Sequence, residues 1–149
     1  ASDKNTARIS VIGLKDEPGI AFKLFDLLAK HKINVDMILQ SVGRDGTKDI
    51  SFTIPSGDVK EVMVVIKDNQ NRITAQKIDC EENIAKVSVV GAGMMSNPGV
   101  AAKMFEALYN VGINIKMIST SEIRVSVIVD VKEPDKAMQA THDSFGLED

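Results

Sequence analysis

The chain has 149 residues, 44% hydrophobic and 26% charged, a net charge of −3 and one cysteine, Cys80; that length holds one ordinary domain or two small ones, and that composition supports a buried core. The acidic balance argues against a general nucleic-acid binder, which carries a basic face. The apolar runs are too short to span a bilayer, no signal-peptide pattern opens the chain, and a single cysteine excludes an internal disulfide and fits a reducing compartment.

In chain order, "RISVIG" is a β-branched run ended by a glycine and reads as a strand. A charged turn with Pro18-Gly19 follows, and Pro18 suits the first turn of a helix, where a missing N–H costs nothing. Ile20, Leu24, Phe25 and Leu28 then recur at helical spacing and predict a buried stripe. "INVDMILQ" alternates and reads as a second strand, and "KDISFTIP" as a third. Residues 58–68 predict a helix through Val62, Val65 and Ile66, and "ITAQKID" a fourth strand. The order is β-α-β-β-α-β, the ferredoxin-like split unit.

The pattern then returns. Residues 10–41 and 88–121 align, with Gly13 matching Gly91, Pro18 matching Pro98, Gly19 matching Gly99, Asn34 matching Asn114 and Ser41 matching Ser121. Two copies are too few for a solenoid, so the chain reads as tandem small α+β units, residues 1–81 and 82–149. In the second copy "AKVSVVG", "INIKMIST" and "IRVSVIV" read as strands, residues 99–111 as a helix, and "EPDKAMQATHDSF" as a helix with Pro134 in its first turn. No fourth strand is evident there, so a segment outside the plain tandem completes that sheet or its edge stays open. The chain starts Ala1-Ser2, which implies either a removed methionine or a piece of a longer protein.

The two Pro-Gly pairs carry the chemistry. A helix start presents unpartnered N–H groups and partial positive charge, ready for a carboxylate. Gly19 and Gly99 have no side chain to cover it, and Asp16 stands ready to hold an ammonium group. Together these acceptors describe an amino-acid site; a plain strand-to-helix connector uses the same residues.

A βαββαβ unit with Pro-Gly at the first strand–helix junction resembles the ACT domain, a regulatory amino-acid-binding module. "KVSVVGAGMMSNPGVAAKMFEAL", "GIAFKLFDLLAKHKINVDMILQS" and above all "ISTSEIRVSV", residues 118–127, resemble the paired ACT domains of the aspartate kinase family, over roughly residues 8–146. No nucleotide loop of the kinase domain is found, so the resemblance implies a non-catalytic regulatory region or separate small subunit. It implies two antiparallel sheets with helices on one face, in units packed side by side. It also implies a threonine or lysine effector at ACT–ACT contacts, feedback inhibition of a catalytic domain or subunit, a homodimer in the cytoplasm, and no cofactor, metal, nucleic-acid or membrane partner.

Carried over by position, the resemblance implies one effector site of Asp16, Pro18, Gly19, Ile20, Ala21 and Gln40, with Asn114 and Ile115 from the companion unit. In that site Asp16 would pair with the ligand ammonium, and Gln40 and Asn114 would read a side-chain hydroxyl. A second site takes Met95, Ser96, Asn97, Pro98, Gly99, Val100, Ala101 and Thr120 with Asn34 and Val35; there Ser96 stands where Asp16 stood and Thr120 replaces Gln40. The resemblance also implies that segments from the chain ends complete one sheet.

Other readings are weaker. RNA recognition on this fold needs stacking aromatics on the central strands, and "ISVIG" and "VSVVG" have none. An acyl-phosphate hydrolase needs arginine and asparagine on a phosphate loop. The small subunit of acetolactate synthase is another ACT regulator, but "STSEIRVS" favours the aspartate kinase family. "GAGMMS" lacks the third glycine of a dinucleotide loop. Met37, Met104 and Met117 read as core, "KDEP" and "CEEN" as solvated turns, and Cys80 has no catalytic partner.

Overall fold

The structure is a computed structural model and describes residues 2–43, 45–90, 99–121, 124–130 and 134–145. The chain divides into two compact units, Asn5–Glu82 and Asn83–Asp149, and residues 1–4 group with the latter. Among the described residues the elements are β1 (Ser2–Lys15), α1 (Ile20–Lys30), β2 (Ile38–Val42), β3 (Thr47–Pro55), α2 (Val59–Asp68), α3 (Gln70–Ile73), β4 (Lys77–Val90), α4 (Val100–Asn110), β5 (Met117–Thr120), β6 (Arg124–Asp130) and α5 (Pro134–Phe145).

In the first unit the strand order is β2-β3-β1-β4. β1 and β2 both pair antiparallel with β3. Strand alternation sends Ala7, Ile9 and Val11 of β1 and Ile50, Phe52 and Ile54 of β3 to one face. Helical spacing sends Ile20, Leu24 and Leu28 of α1 and Val62 and Ile66 of α2 onto the same core. Phe25 is only half-buried but meets Phe52 edge-on, with ring centroids 5.6 Å apart. The other face is polar: the Ser10 and Ser51 hydroxyls meet at 2.8 Å, and Arg8 pairs with Glu81 at 2.7 Å.

β1 carries a bulge. Val11 pairs with Ile50 but Leu14 pairs with Lys48, so Ile12 and Gly13 together oppose Asp49. Gly13 takes φ +73°, and its N–H donates to the Asp49 carboxylate at 2.9 Å. The extra residue flips the alternation, so Leu14 follows Val11 onto the core face.

Three strand expectations are corrected. Residues 73–76 are not strand: Gln70–Ile73 form one helical turn, ended by Thr74 at φ 61°, and β4 starts only at Lys77. The Gln70 side chain holds this turn by donating to the Ala75 carbonyl at 3.0 Å. "ITAQKID" and "AKVSVVG" are not two flanking strands either, because β4 is one continuous strand of 14 residues running through "CEEN". The charges that suggested a turn lie on a strand, where Glu81 faces Arg8. Finally, "INVDMILQ" is strand only from Ile38. Before it, Asp36 and Met37 share one partner: Asp36 N–H donates to the Thr53 carbonyl, and Met37 N–H to the Thr53 hydroxyl at 2.9 Å.

In the second unit β4 and β5 both pair antiparallel with β6. Val87, Val89, Val125, Val127 and Val129 pack with Met104 and Leu108 of α4 and Ala137 of α5. Ser88 and Ser126 repeat the hydroxyl pair of the first unit, again at 2.8 Å. Both units are thus antiparallel α+β layers, and Met37, Met104 and Met117 are buried as expected.

Candidate functional site

The first Pro-Gly pair is a turn ahead of the helix rather than its first turn. Ile20 N–H donates to the Glu17 carbonyl at 3.4 Å across Pro18 and Gly19, and Gly19 sits at φ 89°, ψ −9°. These are the angles of the third residue of a type II turn, where glycine is required and proline is favoured just before it. The helix begins at Ile20, which is buried; Pro18 and Gly19 are exposed, and Ala21 is half-buried. No side chain caps α1 and no acid lies in its first turn. With the Ile20 N–H taken by Glu17, the helix start has no side-chain cap, and no acid offsets its partial positive charge. A Cβ added at Gly19 would meet nothing within 4 Å.

Asp16 is held by the β2–β3 hairpin. Its N–H donates to the Gly46 carbonyl at 2.9 Å, and its carboxylate lies 3.7 Å from the Lys48 ammonium. Residues of β3 on the core face run Ile54, Phe52, Ile50, Lys48, so Lys48 ends that stripe beside Leu14. Its side chain is largely covered, and its ammonium faces the Asp16 carboxylate. Gln40 pairs with Ile50, and Val42 with Lys48, which places Gln40 diagonally next to Lys48 on the same side of the sheet. The first unit thus gathers Asp16, the Pro-Gly turn, the open start of α1 and exposed Gln40 at one end, with Lys48 among them. Lys48 was missed because its approach to Asp16 depends on the bulge and the β1–β3 register, which no local spacing announces.

The second set is placed differently. Met95, Ser96, Asn97 and Pro98 lie outside the described residues. Gly99 stands before α4 at φ −84°, in ordinary right-handed space. Val100 and Ala101 are half-buried, and Thr120 is exposed at the end of β5 opposite Val125. Asn114 is exposed and Ile115 half-buried in the segment after α4; Asn34 and Val35 take the same states in the matching segment of the first unit.

Two hollows lie elsewhere in the first unit. One of about 240 Å3 on the polar face is lined by Arg8, Ser10, Asp79, Cys80 and Glu81. Cys80 there has its thiol pKa pushed up, first by partial burial and then by Glu82 and Glu81, which leaves it protonated and weakly nucleophilic. The other, of about 30 Å3, lies between α1 and α3. Among the described residues no three His, Cys, Asp or Glu side chains are placed to hold a metal ion.

Comparison with known proteins agrees with this architecture. An ACT domain family model matches residues 9–70 and 87–145. The chain is 47% identical to an aspartokinase of Helicobacter pylori and 45% identical to one of Corynebacterium glutamicum, with 99% of this chain covered in each case. It spans only 36% and 35% of their lengths. A solved structure of aspartokinase alpha and beta subunits superposes with TM-score 0.93 and 48% identity, covering 99% of this chain and 97% of that one. The ligand-free regulatory subunit of aspartate kinase from Thermus thermophilus gives TM-score 0.91 and 40% identity, covering 97% and 95%. The chain belongs to the ACT domain family, among the regulatory subunits and domains of aspartokinases.

Proposed function

We propose that this chain is the non-catalytic, amino-acid-sensing part of an aspartokinase. It binds a feedback amino acid, threonine or lysine, where ACT units meet, and so inhibits the catalytic domain or subunit in the cytoplasm. The observation that carries the reading is the uncapped start of α1 beside Asp16 and Gln40. An open helix start suits a ligand carboxylate and Asp16 suits its ammonium. Gln40 offers both an amide donor and an acceptor to a hydroxyl. Asn114 and Ile115 belong to the companion unit in this reading, and pairing of two chains supplies further ACT contacts. The effector must bind one arrangement of units better than the other, with a coupling of about 1–3 kcal/mol.

The test is thermal melting with threonine, with lysine, with both, and with valine as control. A ligand at about a hundred times its Kd adds roughly 2.7 kcal/mol, a rise of about 5–10 °C for a chain of this size. A rise with threonine, extended by lysine, is expected; a rise with valine alone would point to a regulator of the acetolactate synthase kind. No rise with any of the three, with or without the catalytic partner, would reject the reading.

A further inference from the structure

Lys48 breaks the pattern of its own strand. The core-facing residues of β3 run Ile54, Phe52, Ile50, Lys48, and Lys48 is the one charged side chain buried among the described residues, at 8% exposure. It is ion-paired with Asp16, whose carboxylate lies 3.7 Å from its ammonium. Packing does not explain this pair, because an apolar side chain in place of a largely buried ion pair is often neutral or stabilising. The second copy uses that simpler solution. With Ser51 matched to Ser126 through the recurring hydroxyl pairs, Ile123 stands in the sequence where Lys48 stands, and Ser96 where Asp16 stands. Cation and anion occur together in one copy and are absent together from the other. Lys48 therefore belongs with what Asp16 does.

The geometry suits an exchangeable partner. The pair is wider than a direct charge-assisted bond, which spans about 2.7–2.9 Å. The Asp16 side chain is 44% exposed, so a second cation can reach it from water. The end of a lysine side chain can turn outward while its stem stays covered. We propose that Lys48 is a tethered stand-in for the ammonium of the amino-acid ligand. It holds Asp16 in the empty site, yields it when the ligand binds, and so sets the ligand concentration at which the site fills. No proton moves; one ammonium replaces another at the same carboxylate. This rests on Asp16 being the ammonium acceptor proposed above and adds the device that tunes it.

The experiment is calorimetric titration of the full chain with L-threonine and with L-lysine. The variants are Lys48→Met, which keeps an apolar stem, Lys48→Arg, Asp16→Asn, and Lys48→Met combined with Asp16→Asn, each first shown to melt cooperatively. A competing ion pair of this exposure is weak, so Lys48→Met should tighten binding about 2- to 5-fold. Lys48→Arg keeps the competing charge and should bind no tighter than the native chain. Asp16→Asn should weaken binding, and in that background Lys48→Met should bring no gain, because both act through one contact. Unchanged or weaker binding by Lys48→Met overturns the proposal, and so does an equal gain in the Asp16→Asn background; in either case the loss in Asp16→Asn keeps the amino-acid site standing. If the native chain binds neither amino acid, with or without the catalytic partner, the site itself is rejected and the stand-in role with it.

Discussion

The two units repeat one sequence pattern and use it differently at the same places. Their frames correspond closely: Leu28 and Leu108 are both fully buried on equivalent helices, and the serine hydroxyl pairs recur at 2.8 Å. Their Pro-Gly junctions do not correspond. Gly19 is left-handed at φ 89° inside a type II turn, whereas Gly99 is right-handed at φ −84°. The helix ends differ in the opposite sense: Lys32 takes φ 58° where the second unit has Gly112 at φ 75°. Duplicated patterns therefore preserve what packs, since a core tolerates little change in volume or periodicity. The turns at the ends of the sheets are free to diverge, and binding residues concentrate there.

This comparison can be tested from its strongest element downward. Leu28→Ala and Leu108→Ala each remove a fully buried side chain and should each cost about 2–5 kcal/mol in denaturant unfolding. Similar losses would confirm equivalent frames; a much smaller loss at Leu108 would mean that the second unit relaxes around the cavity. Asp16→Ala should reduce threonine affinity about 10- to 100-fold with little change in melting temperature, because Asp16 is exposed and its charge-assisted contact would be to the ligand. Unchanged calorimetric affinity would take Asp16 out of the site.

The matched glycines offer a sharper contrast. Gly19→Ala places a Cβ in left-handed backbone and should cost about 1–2 kcal/mol, although the space around it is open. Gly99→Ala, at a φ open to any residue, should be neutral or should stabilise by about 0.4–1 kcal/mol. Equal effects in calorimetric melting would erase the distinction between the two junctions. Lys32→Gly transfers the second unit's helix end to the first. It relieves a left-handed lysine while keeping the Ile33 N–H bond to Leu28, and should stabilise by about 1 kcal/mol. The smallest effect concerns Cys80, which has no counterpart in the second copy. Its raised thiol pKa leaves less thiolate in the folded chain, so iodoacetamide should label it at pH 8 more slowly than in the unfolded chain.

The sequence by itself determined the duplication, the α+β class, and the stripes that become the two cores. Those rest on periodicity and β-branched runs, which are local and survive without knowledge of the partner strand. Ile20, Leu24 and Leu28, or Val62 and Ile66, could face inward only one way on a helix. The Pro-Gly pattern singled out Asp16 and Gly19 as candidates, and the family resemblance Gln40, but the pattern misjudged Pro18 by placing it inside the helix. The tertiary structure alone decided that "CEEN" is strand, because Glu81 there gains a cross-strand partner in Arg8, 73 positions away. It alone also decided that Lys48 lies beside Asp16. That pairing depends on a bulge stabilised by Asp49 and on the register between strands far apart in the chain. Register is a property of two segments together, so neither segment read alone contains it.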